Sequence, residues 1–141
     1  MEAVLNLDPS AFVADKELLD ALEQRSMPIA CDQDRILFRQ GDAPTGLYSL
    51  RSGSATLTMA SHTGEILLRV QVGPGALLGL PGVVGGQPYS LTARVQKGAV
   101  LGFVSRKEFS DLMLSNPALS LKLLSVLAAE VRSARNALSE S

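Results

Sequence analysis

At 141 residues the chain has the length of one ordinary domain, and its 46% hydrophobic and 19% charged residues exclude a disordered or fibrous polymer. A formal charge of -1, from 13 basic and 14 acidic side chains spread along the whole length, leaves no basic stripe for a phosphate backbone, so direct nucleic-acid binding is not expected. No uninterrupted apolar run approaches membrane-spanning length and the N-terminus lacks a secretory signal, which predicts a cytoplasmic protein with no membrane role.

In chain order, Asp8, Pro9 and Ser10 supply cap and first-turn chemistry, and Phe12, Leu18, Leu19 and Leu22 follow at roughly helical spacing. This predicts a helix over Ser10 to Arg25, within an N-terminal helical segment at 8–30. All twelve glycines then fall between Gly41 and Gly102, marking a turn-rich β region between two glycine-free ends. Short apolar runs in it read as strands: Ile36 to Phe38, Leu47 to Leu50, Ala55 to Met59, Ile66 to Val72, Leu91 to Val95 and Val100 to Val104. Strands spaced by 8 to 12 residues favour an antiparallel sandwich or roll over β-α-β units.

Ser105 followed by Glu108 has capping-box spacing and opens a short helix, with Phe109, Leu112 and Met113 on its apolar face. Asn116 and Pro117 then start a longer helix through Leu121 and Leu124 to Leu138. Leu124, Val131 and Leu138 stand seven apart, with Leu127 and Ala134 three residues further on, which makes two heptads of a coiled-coil seam. The same residues suit equally a face packed on the chain's own roll.

Little in the sequence supports catalysis or a metal. His62 is the only histidine and sits in the turn-like Ser61-His62-Thr63-Gly64, so a metal set of several histidines cannot be assembled. Cys31 is the only cysteine, with no activating charge or partner in view, and reads as a partly buried structural thiol. A non-enzymatic protein is expected.

From Ile36 to Ala137 the motifs resemble the cyclic-nucleotide-binding domain of Crp/Fnr-type regulators. Ile36-Leu37-Phe38-Arg39-Gln40-Gly41-Asp42 is similar to that family's first strand and tight turn. Gly46-Leu47-Tyr48-Ser49-Leu50 with Gly53 resembles the next hairpin, Gly64-Glu65 a later turn, and Gly73-Pro74-Gly75 with Gly79 the approach to the phosphate-binding cassette. Val100 to Arg106 with Phe109 resembles the exit strand and following helix. The resemblance implies a mainly β fold with flanking helices: an antiparallel double-stranded β-helix, or jelly-roll-like β-roll, with an N-terminal helix and a long C-terminal dimerisation helix. One domain covers 1–141, with the roll at 35–104, the cassette at 79–93 and the C-terminal helices at 105–138.

In that family a short helix N-terminus and loop amides hold the cyclic phosphate, an arginine adds charge, and a glutamate binds the ribose 2′-hydroxyl. Placed without gaps, Leu80 stands where the glutamate belongs and Tyr89 where the arginine belongs, while Gly79, Gly82 and Ser90 match and Pro81 suits a first helical turn. Loss of one charge-assisted contact costs on the order of 1.5 to 3 kcal/mol, so cyclic AMP and cyclic GMP are expected to bind weakly or not at all. Arg94, five residues beyond Tyr89 on a strand, points to the opposite face and is no substitute.

The ligand-binding candidates are therefore Gly79, Leu80, Pro81, Gly82, Tyr89 and Ser90, the ligand a cyclic nucleotide or another small anionic effector. The dimer candidates are Leu124, Leu127, Val131, Ala134 and Leu138. Two readings stay open: a regulatory sensor domain signalling small-molecule occupancy through a helical homodimer, and a ligand-free interaction module whose old pocket Leu80 and Tyr89 fill. Seven residues follow Ala134, too few for a helix-turn-helix, so the chain is expected either to lack DNA-reading parts or to be the sensor piece of a transcription regulator.

Overall fold

The computed structural model describes residues 4–140. Nine strands and four α-helices follow one another as β1 (Leu5–Asn6), α1 (Lys16–Glu23), β2 (Met27–Ala30), β3 (Arg35–Phe38), β4 (Gly46–Ser52), β5 (Ala55–Ala60), β6 (Ile66–Val72), β7 (Leu77–Leu78), α2 (Leu80–Gly85), β8 (Thr92–Val95), β9 (Val100–Ser105), α3 (Arg106–Ser115) and α4 (Ala118–Glu140). The strands form two sheets, in the orders β1-β6-β5-β8-β3 and β2-β9-β4-β7. All pairs are antiparallel except β1 with β6.

The β-roll with flanking helices is thus as the sequence implies, but the N-terminal segment differs. The predicted helix over Ser10 to Arg25 is cut in two: a 3₁₀ turn at Pro9–Phe12, then α1 from Lys16. Between them Val13 bridges to Ala76 and the Ala14 amide donates to the Gly75 carbonyl at 3.1 Å, so a sheet contact wins over helical continuity. Asp15 restarts the helix by accepting from the Leu18 amide at 2.9 Å. Residues 27–30 belong to no helix: β2 pairs with β9, and Pro28 is tolerated because β2 is an edge strand with one unpaired side.

Two apolar clusters organise the interior. One lies between the sheets and includes Phe38, Leu50, Leu57, Val70, Val95 and Leu101. The other joins the roll to the helices through Leu18, Leu22, Leu47, Val104, Leu119 and Leu123. The long helix α4 is held on the roll by buried Leu119, Leu123, Val126 and Ala137. Two polar ties add to this: Ser133 Oγ accepts from the Asp8 amide at 2.7 Å, and Lys122 pairs with Asp15 and Glu17 of α1. Lys122 holds the Asp15 carboxyl below the usual range, chiefly through that hydrogen bond.

Candidate functional site

The cassette is built from the β7–α2 corner and the loop that leads into β8. Gly79, at the N-cap of α2, has φ of +90°, a conformation that favours glycine. Pro81 follows in the first turn, as its spacing predicts. A Cβ on Gly79 would stand 2.8 Å from Cε1 of Tyr89, and one on Gly82 would meet the Gln87 carbonyl at 3.0 Å and Tyr89 Cδ1 at 3.3 Å. These glycines let the backbone come close to a ring of the protein itself.

That ring is firmly seated. Tyr89 is 3% exposed and stacks on Phe38 with centroids 3.9 Å apart and planes 21° apart. Its hydroxyl donates to the Gly46 carbonyl at 2.6 Å and accepts from the amides of Thr45 at 3.1 Å and Gly46 at 3.2 Å. Its own amide donates to the Asp42 carbonyl, and its carbonyl accepts from Gly41. The phenol has one donor and two acceptor sites, and all three are used.

What remains beside the ring is a cavity of about 20 Å³, walled by Phe12, Phe38, Leu57, Leu77, Tyr89 and Glu130. That is room for about one water molecule, not for a sulfate or a cyclic nucleotide. Gly79, Pro81, Gly82 and Ser90 also line it, so five of the six ligand-binding candidates do come together. The sixth corrects an expectation: Leu80 is fully buried in the cluster of Leu18, Leu22 and Leu119 and is not among the lining residues. Its position in the first turn of α2 turns it toward the helices. The site for a small anionic effector that these candidates imply is likewise closed, because the tyrosine ring sits on Gly79 and Gly82.

Sequence reasoning missed Glu130. It reaches the cavity from α4, and its Oε2 is buried without a hydrogen-bond partner. Burial pushes its carboxyl up to about 8. No basic side chain lines the cavity. The available signal was an acid on the inward rhythm of Leu119, Leu123, Val126, Ser133 and Ala137, but that rhythm is visible only once one face of α4 is known to be buried.

The predicted seam divides. Leu124 is 55% exposed and Val131 49%, with Leu138 also exposed, whereas Leu127 and Ala134 are half-buried against the apolar clusters. Leu121, at 71% exposure, extends the outer face toward the helix start.

The profile of the cyclic nucleotide-binding domain matches residues 28–116. The chain belongs to the cyclic nucleotide-binding domain family. Within it, the chain is 28% identical to the transcriptional activator protein Anr of Pseudomonas protegens over 92% of its own length and 52% of Anr, so it spans about half of that relative. The fold is that of the Thermus thermophilus catabolite activator protein, with a TM-score of 0.77 and 23% identity, covering 94% of this chain and 62% of that one. It is also that of the sensor domain of the transcriptional regulator DNR from Pseudomonas aeruginosa, with a TM-score of 0.66 and 21% identity over 86% of this chain and 82% of that domain. The similarities are thus to a transcriptional activator, to a catabolite activator protein and to the sensor domain of a transcriptional regulator. Among the described residues no helix is long and apolar enough to cross a membrane, and no group of three metal-ligating side chains occurs.

Proposed function

We propose that this chain is a regulatory domain of the Crp/Fnr type whose cyclic-nucleotide cassette is plugged by its own Tyr89 and which acts through a homodimer of α4 helices. The observation that carries the first half is the seating of Tyr89, three hydrogen bonds and a ring stack in the place that the family resemblance assigns to the phosphate-binding arginine. A cyclic phosphate would have to displace the ring, leave the Gly46 carbonyl without its donor, and then find no cationic side chain waiting. The second half is supported by the outer face of α4, where Leu121, Leu124 and Val131 place apolar surface in water on a helix already anchored on its other side.

Between the two readings of the sequence, the geometry favours the one in which the cassette is filled from within and the helix face carries the function. Isothermal calorimetry with cyclic AMP and cyclic GMP is expected to give no heat of binding up to high micromolar ligand, and light scattering is expected to give the mass of two chains. A low-micromolar dissociation constant for either nucleotide would refute the plug, and a monomer at high micromolar protein would refute the dimer.

A further inference from the structure

Glu130 brings a carboxyl into a cavity that has nothing to neutralise it. Among the described residues no lysine or arginine lines the cavity, and Phe12, Phe38, Leu57 and Leu77 make its floor apolar. Tyr89 is the only other titratable side chain on the wall, and its phenol hydrogen is committed to the Gly46 carbonyl. Within α4, the residues three and four positions from Glu130 are Val126, Leu127, Ser133 and Ala134, none of them charged. Glu130 Oε2 is therefore buried without a hydrogen-bond partner.

The two protonation states of that carboxyl make different demands. The neutral form has one O–H to satisfy, and a cavity of about 20 Å³ has room for the single water that would accept from it. The carboxylate is acceptor-only, needs several donors and is costly to bury without them, so burial pushes the carboxyl up to about 8. The donors it lacks can come only from solvent. Pro81 and Ser90 are exposed while the floor of the cavity is buried, so the mouth lies between them, and water reaches Oε2 in numbers only if the Glu130 turn lifts from the roll. One turn further on, Ser133 Oγ accepts from the Asp8 amide at 2.7 Å, a tie that such a movement breaks. Val131, next to Glu130 and 49% exposed, rides on the outer side of the same turn.

We infer that the closed cassette responds to the proton in place of an anion: protonated Glu130 seats the middle of α4 on the roll, and its ionisation draws water in through the Pro81–Ser90 mouth and loosens that turn. This rests on the plugged cassette proposed above and names the effector of that same site. The glycine cradle is filled by the Tyr89 ring, and the group left to sense the surroundings is an acid that α4 itself carries into the cavity. A change on the inner flank of α4 then reaches the exposed face through Val131 without any small-molecule ligand.

Amide hydrogen exchange followed by NMR on the 141-residue chain, corrected for the intrinsic pH dependence of exchange, tests this at the Asp8 amide. The seated state keeps the proton, whereas the lifted state, with Glu130 in water near its ordinary 4.3, releases it. Protection is therefore expected to fall about tenfold for each pH unit from about 6 to 8 and then to level off. Glu130→Gln, neutral and of the same shape, is expected to keep the protection constant over that range, and a carbon-13 titration of the glutamate carboxyls is expected to place Glu130 well above the others. A Glu130 midpoint in the ordinary carboxylate range, a high midpoint with flat Asp8 protection, or the same fall in Glu130→Gln each overturns the inference while leaving the plug standing. Calorimetric binding of cyclic AMP to the unmodified chain overturns the plug, and the inference with it.

Discussion

Around Tyr89 each polar atom of the side chain is bonded and the ring is stacked, whereas on α4 the side turned from the roll leaves Leu121, Leu124 and Val131 in water and the inner flank leaves Glu130 without a partner. The first region is finished within one protomer. The second leaves apolar side chains in water and one buried carboxylate oxygen unbonded. In a family built to grip an anion, this chain has used its glycine cradle for an internal aromatic ring and kept its unsatisfied surface on the helix. On the proposed reading, the regulated contact is to be sought at α4.

The largest way to break this contrast is Tyr89→Ala. Removing the ring leaves a void beside Phe38, Gly79 and Gly82 and strips the amides of Thr45 and Gly46 of an acceptor, for a loss of about 3–5 kcal/mol in urea unfolding. A loss below about 1 kcal/mol would show that the plug does not support the roll.

On the helix side, Leu124→Gln with Val131→Gln keeps good helix formers at exposed positions, so each change is expected to alter protomer stability by no more than about 0.5 kcal/mol. Dimerisation, in contrast, is expected to weaken on the order of a hundredfold by sedimentation equilibrium, because two amides would enter an apolar seam.

That monomeric variant also isolates Glu130. Its carboxyl titrates near 4.3 in the unfolded chain and at about 8 in the protomer, so between these values the folded state binds more protons. Stability should then be fully present below about pH 4.3 as far as this group is concerned, fall as pH rises, and level off above about pH 8. The expected fall is at most about 5 kcal/mol, about 1.4 kcal/mol for each pH unit between those values, and Glu130→Gln should abolish it. A flat profile in the monomeric variant would mean that Glu130 is solvated there.

The smallest effect sharpens the cassette side. Tyr89→Phe keeps the stack on Phe38 but removes the donor to Gly46 and the acceptor for two amides, for about 1–3 kcal/mol by thermal unfolding and no change in association.

The sequence by itself determined what depends on near neighbours. Glycine confinement marks the β region, and Ser105 caps α3 by accepting from the Glu108 amide at 3.2 Å, as its spacing predicts. Pro117 lies immediately before α4, and the heptads mark the face on which Leu124 and Val131 stand exposed. Each of these signals is carried within a turn or two of backbone.

Tertiary structure decided the rest. The break at Val13 depends on Ala76, the strand at Met27–Ala30 on β9, and the fate of Leu80 on α1 and α4, which claim it for the helical cluster. Tyr89 finds its hydroxyl partners 43 and 44 residues away, and Glu130 meets the cavity from a helix that begins after the roll is complete. No local pattern encodes such contacts. Whether a side chain lines a pocket or fills it is set by the volume left between elements that are distant in the chain.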